Sequence, residues 1–527
     1  MMDNTDPQIP STIDHRYRPV TPQEGPFRWH PVTPQEGPFR WHPVTLAVVA
    51  QLCDIVGQQH VIYGEEQRML DYAHDEVAGD EYACMPEVVV KPASAAEISD
   101  VMRMANHERI PVTPRGAGSG LSCGAVPVHG GILLSLERMN RILEIDRENM
   151  VVVVEPGVVT NDVNEAVNEY GLFYAGYPMS VEMCFVGGNV AENAGGGRAI
   201  KYGVTGRYVL GLEVVLPTGE IVQLGGKRVK DVTGYDLVHL MVGSEGTLGI
   251  FTRITLRLLP LPTASAVLLI PFADARSAIG AVPQIMTQGH IIPTSVEFMD
   301  RLAVQTAYDY LDERIPHPNV GAMLLVEVDG FSQDQVETEY NAIVDLCLEL
   351  GALDVFVGNT PNTERRMWRP RQSMAEALKA VCPVQSLEDI VVPLAHIPDL
   401  IPELDRLSRQ YDVLIPCYGH AGDGNLHATV VKRPDTPMEA WQEKLPHILA
   451  DLYEVVAQLG GTISGEHGIG SKRAHYLPLV MNPTLIDLQR RIKHAFDPLN
   501  ILNPGKIFPP VVSDTDQEDG TDLGDPS

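Results

Sequence analysis

The chain has 527 residues, 69 acidic against 39 basic side chains, a formal net charge of −30, and 44% apolar and 20% charged residues. That is the composition of a globular protein with room for two or three domains. So large an excess of acids speaks against nucleic acid or an anionic membrane surface as partner, since both reward Lys and Arg.

No apolar run approaches the roughly eighteen residues of a membrane span. Met1 to Asp6 also lacks the basic-then-apolar order of a secretory signal. Cys53, Cys84, Cys123, Cys184, Cys347, Cys382 and Cys417 share no Cys-x-x-Cys spacing. That argues against an iron–sulfur cluster, a zinc ribbon or a disulfide framework, and predicts a reduced, cytoplasmic location.

Residues 1–45 read as an unstructured arm, in which Pro-Val-Thr-Pro-Gln-Glu-Gly-Pro-Phe-Arg-Trp-His at 19–30 returns unchanged at 31–42. A unit used twice is too short for a solenoid. Val49, Leu52, Cys53 and Val56 fall at helical spacing, so an amphipathic helix should open the ordered body. Val88–Val90, Val112-Thr113, Ile132–Leu136 and Met150–Glu155 read as strands. Helices are expected near Ala95–His107, N-capped by Ser94, and near Val163–Tyr170. Beyond residue 261 the units lengthen, with a strand at Met323–Val328 and a helix through Asp345–Leu350. Leu485, Leu488, Ile492 and Ala495 mark one face of a last helix, stopped by Asp497-Pro498. From Val511 the chain carries acids and no base, a solvated tail.

Three glycine-rich stretches carry the first candidate chemistry. In Arg115-Gly116-Ala117-Gly118-Ser119-Gly120-Leu121, glycines at this density let successive backbone N–H groups converge on a phosphate. The spacing is G-x-G-x-G, not the G-x-G-x-x-G of a nicotinamide site. Gly187-Gly188 to Gly195-Gly196-Gly197, and Gly243-Ser244-Glu245-Gly246 to Ile250, supply two more. Together they suit a long ligand held by backbone at several points, a dinucleotide in preference to a lone phosphate.

The second chemistry lies in Gly419-His420-Ala421-Gly422-Asp423-Gly424-Asn425-Leu426-His427. Val413–Tyr418 and Leu426–Val431 read as strands, and Asp423-Gly424 between them is a hairpin signal. Counting outward pairs Gly422 with Asn425, Ala421 with Leu426, and His420 with His427. The two imidazoles would then stand with Cβ atoms roughly 5 Å apart, close enough to share a metal ion. On its own the stretch could be a hairpin with two solvated histidines. Gly465-Glu466-His467-Gly468 adds a hard oxygen ligand in Glu466 and a base that titrates near neutrality in His467. In extended backbone these neighbours would point to opposite sides.

These stretches, with Cys184 to Gly196 and Asn503-Pro504-Gly505-Lys506, resemble in the same order, from about residue 46 to 510, the flavoprotein family of the FAD-carrying component of bacterial glycolate oxidase. The D-lactate dehydrogenases and D-2-hydroxyglutarate dehydrogenase belong to the same family. The resemblance implies an α+β protein with a two-subdomain α/β FAD-binding domain of the vanillyl-alcohol oxidase type at 46–262. A cap domain with an antiparallel sheet would follow at 263–480, then a helix and a segment returning to the FAD at 481–510, and a tail at 511–527. It implies FAD contacts at Arg115, Gly116, Ala117, Gly118, Ser119, Gly120, Leu121, Gly187, Gly188, Asn193, Gly195, Gly196, Glu245, Ile250 and Asn503. The FAD is expected to be non-covalent: the first loop has no histidine, and Cys184 matches a cysteine that relatives leave unlinked. A divalent metal (Zn, Mn or Fe) is implied on His420, His427 and Glu466, with His467 as base.

Trp368-Arg369-Pro370-Arg371 resembles a family Trp-x-x-Arg whose arginine binds the substrate carboxylate, which makes Arg371 the choice here; an exposed arginine at a helix start is the plainer alternative. The 2-hydroxyglutarate branch carries a lysine where this chain has Leu387, two residues before Asp389, and a threonine where it has Ala375. That favours a small monoacid, glycolate or D-lactate, oxidised to the 2-oxo acid. The expected acceptor is an iron–sulfur subunit, a cytochrome or a quinone, with membrane contact only through such partners and self-association left open. A non-redox alkyl-transfer enzyme and a non-catalytic flavin subunit are the rivals, and a metal hydrolase would leave the glycine-rich stretches unexplained.

Overall fold

The computed structural model of the protein describes residues 40–176 and 178–510. The duplicated unit up to residue 39 and the tail from 511 lie outside them. Trp41 and Val44, within the expected arm, already pack on the first core. Helix Leu46–Val56 buries Val48, Leu52 and Val56, whereas Val49 and Cys53 are only half-buried, so its seam runs along one edge of the expected face.

The first sheet runs Val61–Ile62, Val88–Val90, Ile132–Ser135, Val112–Arg115, with the last three strands parallel. Its central strands are buried throughout and apolar apart from Ser135, as a parallel sheet covered on both faces requires. The crossover is helix Ala95–Glu108; Ser94 Oγ accepts from Glu97 N, and the Glu97 carboxylate reaches back to Ala93 N. A second sheet is antiparallel: Ile142–Asp146, Val151–Val154, Ile250–Arg257, Val209–Val215, Ile221–Gly225.

The third sheet has seven antiparallel strands in the order Phe356–Gly358, Ala264–Phe272, Ala322–Gly330, Ser295–Asp300, Cys417–His420, Asn425–Val431, Gln385–Val391. Helices Ala275–Thr287, Gln333–Glu349, Ile397–Tyr411 and Met438–Gln458 cover one face with an apolar core. The opposite face is divided. Met299, Met323, Leu325 and Tyr418 pack in an apolar cluster with residues of helices Arg301–Tyr310 and Met374–Val381. At its other end Ser295, Glu297, Glu327 and Asp329 are buried polar groups that face the segment 197–202 of the N-terminal half. There Arg198 bonds Glu327, while Lys201 and Tyr202 bond Asp329.

The last helix, Pro483–Phe496, departs from the expected face: Leu485 is 44% and Leu488 48% exposed and Ala495 is exposed, while Ile486 and Lys493 are buried. Polar anchoring decides its rotation. Lys493 Nζ donates to Thr247 O, Leu502 O and Asp497, which fastens the returning segment to the first domain. Among the described residues no helix is long and apolar enough to cross a membrane.

Candidate active site

Strand register builds the site. Glu297 stands opposite His420, and His427 lies between Tyr418 on one side and Asp389 on the other. The expected pairing of His420 with His427 is therefore corrected: His420 pairs with Asn425 and His427 with Tyr418. Residues 421–424 form a longer loop, in which Gly424 has φ +88° while Asp423 does not adopt positive φ. The loop is tied outward, Gly422 N to Val296 O and Val392 N to Gly424 O, instead of closing as a two-residue turn. A shift of two residues preserves the face, so the imidazoles remain diagonal neighbours with centroids 5.7 Å apart.

Glu466 and His467 do not diverge as expected. Asp389 Oδ2 accepts from Ser464 Oγ and from the N–H groups of Gly465, Glu466 and His467, all within 2.8–2.9 Å. Wrapped around one oxygen, the loop is curled, and both side chains turn to a common centre. Glu466 Oε1 lies 3.1 Å from His427 Nε2, 3.4 Å from His420 Nε2 and 3.7 Å from His467 Nε2.

His420, His427 and Glu466 can offer three ligand atoms within 4.8 Å of one another, and so can Asp389, His427 and His467. The first trio is the better holder. Asp389 is saturated, its Oδ1 taken by Asn425 Nδ2 at 2.6 Å, whereas His420 Nε2 is buried with no hydrogen-bond partner. That orphaned nitrogen and the N, N, O donor set fit a divalent transition ion.

The charges agree. Burial would raise the Glu466 carboxyl, but His420 and His427 hold it well below its ordinary value. Burial would lower His420, but Glu297 and Glu466 hold it well above. Burial pushes His467 down to about 4 against the pull of Asp389. It is thus neutral near pH 7, able to take a proton.

Arg371 is not an exposed helix-start residue: it sits near the end of helix Pro361–Gln372 and is 4% exposed. Its Nε donates to Glu297 Oε2 at 2.6 Å, its guanidinium lies 5.2 Å from the Tyr418 ring centroid, and Nη2 is buried without a partner. Glu297 was not among the expected site residues. Its only sequence signal is an acid on the same strand face as Ser295 and Met299 in Ser-Val-Glu-Phe-Met. Burial would raise its carboxyl, yet His420 and Arg371 hold it down at about 2.

The second and third glycine-rich stretches meet at a cleft lined by Gly187, Gly188, Glu245, Gly246 and Ile250, with Glu192 and with Pro114 and Gly124, which flank the first stretch. A Cβ on Gly188 would meet nothing within 4 Å, so its backbone opens on the cleft, and Gly116 packs against it. Glu192 Oε2 and Asn503 Oδ1 are buried without partners. These features fit a dinucleotide held by backbone.

Gly116 to Leu121 are half-buried; Gly120 O accepts from Glu76 N and Leu121 O from Arg473. Several expected contact residues spend their side chains on the protein itself. Arg115 donates to Asp71 O and His74 O, Asn193 Oδ1 accepts from Gly206 N, and Asn503 Nδ2 donates to Gly124 O and Glu245 O. The Glu245 carboxylate accepts from Ile469 N and Gly470 N. Gly195 lies at the junction with the metal trio, since a Cβ there would sit 3.2 Å from Glu466 Cβ, and Gly196 has φ +159°. Cys184 is buried against Thr160 and Asn189.

A family model described as "FAD linked oxidases, C-terminal domain" matches residues 261–507, and one described as "FAD binding domain" matches residues 86–225. The chain is 39% identical over 464 residues to the glycolate oxidase subunit GlcD of Bacillus subtilis, covering 88% of this chain and 97% of the relative. It is 39% identical over 458 residues to a D-lactate dehydrogenase of Anaerostipes hadrus, covering 86% and 95%. The solved structure of p-cresol methylhydroxylase with substrate bound matches with a TM-score of 0.71 at 18% identity, over 87% of this chain and 96% of that one. This last likeness is one of fold: a two-part FAD-binding domain followed by a cap with an antiparallel sheet.

Proposed function

Because the chain belongs to the FAD-linked oxidase family, we propose that this flavoenzyme oxidises a small D-2-hydroxy acid, glycolate or D-lactate, to the 2-oxo acid. The observation that carries the reading is the burial of Arg371 on the same Glu297 carboxylate that holds His420, with His427, Glu466 and His467 around one centre.

When bound, FAD would supply the two-electron acceptor, and a divalent ion, which His420, His427 and Glu466 would hold, would supply a Lewis acid. The chain's own groups do the remaining work. Arg371 presents Nη2 to the substrate carboxylate, a charge-assisted contact in a buried site, and so fixes which face of the substrate carbon is offered. His467 takes the hydroxyl proton at Nε2, the nitrogen on the Glu466 side, while Nδ1 lies 3.9 Å from Asp389 Oδ2. Leu387 belongs to the apolar cluster with Tyr418 and offers no cation to a second carboxylate, which favours a monoacid. Ala375 lies on the exposed side of helix Met374–Val381 and adds nothing to that argument.

Electrons pass on to a non-NAD acceptor: an iron–sulfur subunit, a cytochrome or a quinone. The relative named as a subunit of glycolate oxidase supports such a setting. All seven cysteines are free and scattered.

The test is anaerobic bleaching of the flavin absorbance by glycolate, D-lactate, L-lactate and D-2-hydroxyglutarate, each before and after chelation. Rapid bleaching by glycolate or D-lactate, lost on chelation, is expected. A flavin that none of them reduces would overturn the reading in favour of alkyl transfer or a scaffold role.

A further inference from the structure

We propose that Glu297 is a positioning residue that ties metal binding at His420 to substrate-carboxylate binding at Arg371; this rests on the function proposed above. The side chain is 0% exposed in the middle of strand Ser295–Asp300. Its two oxygens are divided between the two halves of the site: Oε1 lies 2.6 Å from His420 Nδ1, and Oε2 accepts from Arg371 Nε at 2.6 Å. Ser295 Oγ donates to Oε1 as well, so three partners fix the orientation of the carboxylate.

The consequence follows from donor and acceptor count. An ionised carboxylate only accepts. It therefore requires a proton of His420 on Nδ1, which makes Nε2, 3.4 Å from Glu466, the nitrogen that would give up its proton to a metal ion. It also holds the guanidinium at Nε, which leaves Nη2 as a buried donor without a partner. The free nitrogens of His420 and Arg371 are thus set by one group. A carboxamide of the same shape cannot serve both. If its oxygen keeps Arg371, its NH₂ meets Nδ1 and drives the proton to Nε2, which blocks the metal position. If its oxygen keeps His420, its NH₂ opposes Arg371 Nε–H.

The experiment compares FAD-loaded wild type, Glu297→Gln and Glu297→Asp. Metal affinity is read on chelated protein by zinc and by manganese titration against a competing chelator, with no substrate present. Substrate affinity is read as KM, separately from kcat, at saturating metal. Glu297→Gln should bind metal about 10–100-fold more weakly and raise KM at least tenfold, with FAD content unchanged. Glu297→Asp, which keeps the charge, should recover part of both losses.

Wild-type metal affinity or wild-type KM in Glu297→Gln would overturn the proposal. If Glu297→Gln fails to fold, Glu297→Asp decides: several-fold losses in both readouts support it, and a wild-type value in either overturns it. The metal readout needs no turnover. It judges Glu297 even if no hydroxy acid reduces the flavin, an outcome that would sink the function and not the His420 contact.

Discussion

Asp389 Oδ2 accepts the backbone N–H of His467 at 2.8 Å, one of four donors that converge on this single buried oxygen. This contact turns two sequence neighbours toward one centre. Asp389→Asn offers the loop either a weaker acceptor or an opposing NH₂ group, and leaves buried N–H groups short of partners. Each such group costs about 1–3 kcal/mol, so a loss of about 3 kcal/mol or more is expected, together with loss of bound metal. Thermal unfolding and metal analysis check this; a variant that melts like wild type and keeps its metal would remove Asp389 from that role.

Replacing His467 by Gln should leave FAD bound and the metal ligands in place while flavin reduction falls by about 10²–10⁴-fold, the range for loss of a general base. Stopped-flow reduction of the anaerobic protein is the measurement. A wild-type rate would assign the proton to another group.

Arg371→Lys replaces a planar fork by a point charge on a flexible stem. The Nε bond to Glu297 and the Nη2 donor cannot both be reproduced. KM should rise about 10–100-fold with a smaller change in kcat, the pattern of lost substrate positioning. A fall in kcat alone would place Arg371 away from the carboxylate.

Local pattern made much of this legible: the buried parallel strands, the Ser94 cap, and the grouping of the glycine-rich stretches. The face shared by His420 and His427 was also visible, because strand parity survives a two-residue error in register. What was hidden depends on contacts remote in sequence. The hairpin loop is held open by Val296 and Val392, the Glu466-His467 curl by Asp389, and the rotation of the last helix by Lys493 reaching Thr247. Glu297 was missed because a single acid in an apolar strand reveals its role only when the register sets it opposite His420.

Gly197→Ala tests how tightly the glycine-rich domain is fitted to the cap. The added Cβ would meet Glu297 Oε1 at 2.8 Å and Ser295 Oγ at 3.3 Å. Glu297 is pinned by His420 and Arg371 and cannot yield, so overpacking should cost about 1–3 kcal/mol. The variant should also lose metal affinity, which a remote destabilising change would not cause. Isothermal titration with zinc, beside a melting curve, separates the two; unchanged zinc binding would show that the interface gives way elsewhere.

Asp300 gives a pH dependence remote from the metal ligands in sequence. It caps helix Arg301–Tyr310 through Ala303 N at 2.7 Å, and its second oxygen accepts from Cys417 N at 2.7 Å. Burial outweighs both bonds and lifts its pKa from 3.8 to about 6. A carboxyl whose folded pKa is raised contributes fully below its unfolded value. That contribution is then lost as pH rises through the folded one. Wild type should therefore lose on the order of 3 kcal/mol from this group between pH 4 and 7. Asp300→Asn cannot ionise, keeps an oxygen for the helix cap, and loses the acceptor for Cys417. The stability advantage of wild type over the variant should be largest near pH 4 and shrink to a constant above pH 7. Paired melting curves across that range measure it, and the subtraction cancels the other carboxylates. A difference that does not change with pH would mean that water reaches Asp300 and that burial does not govern its proton.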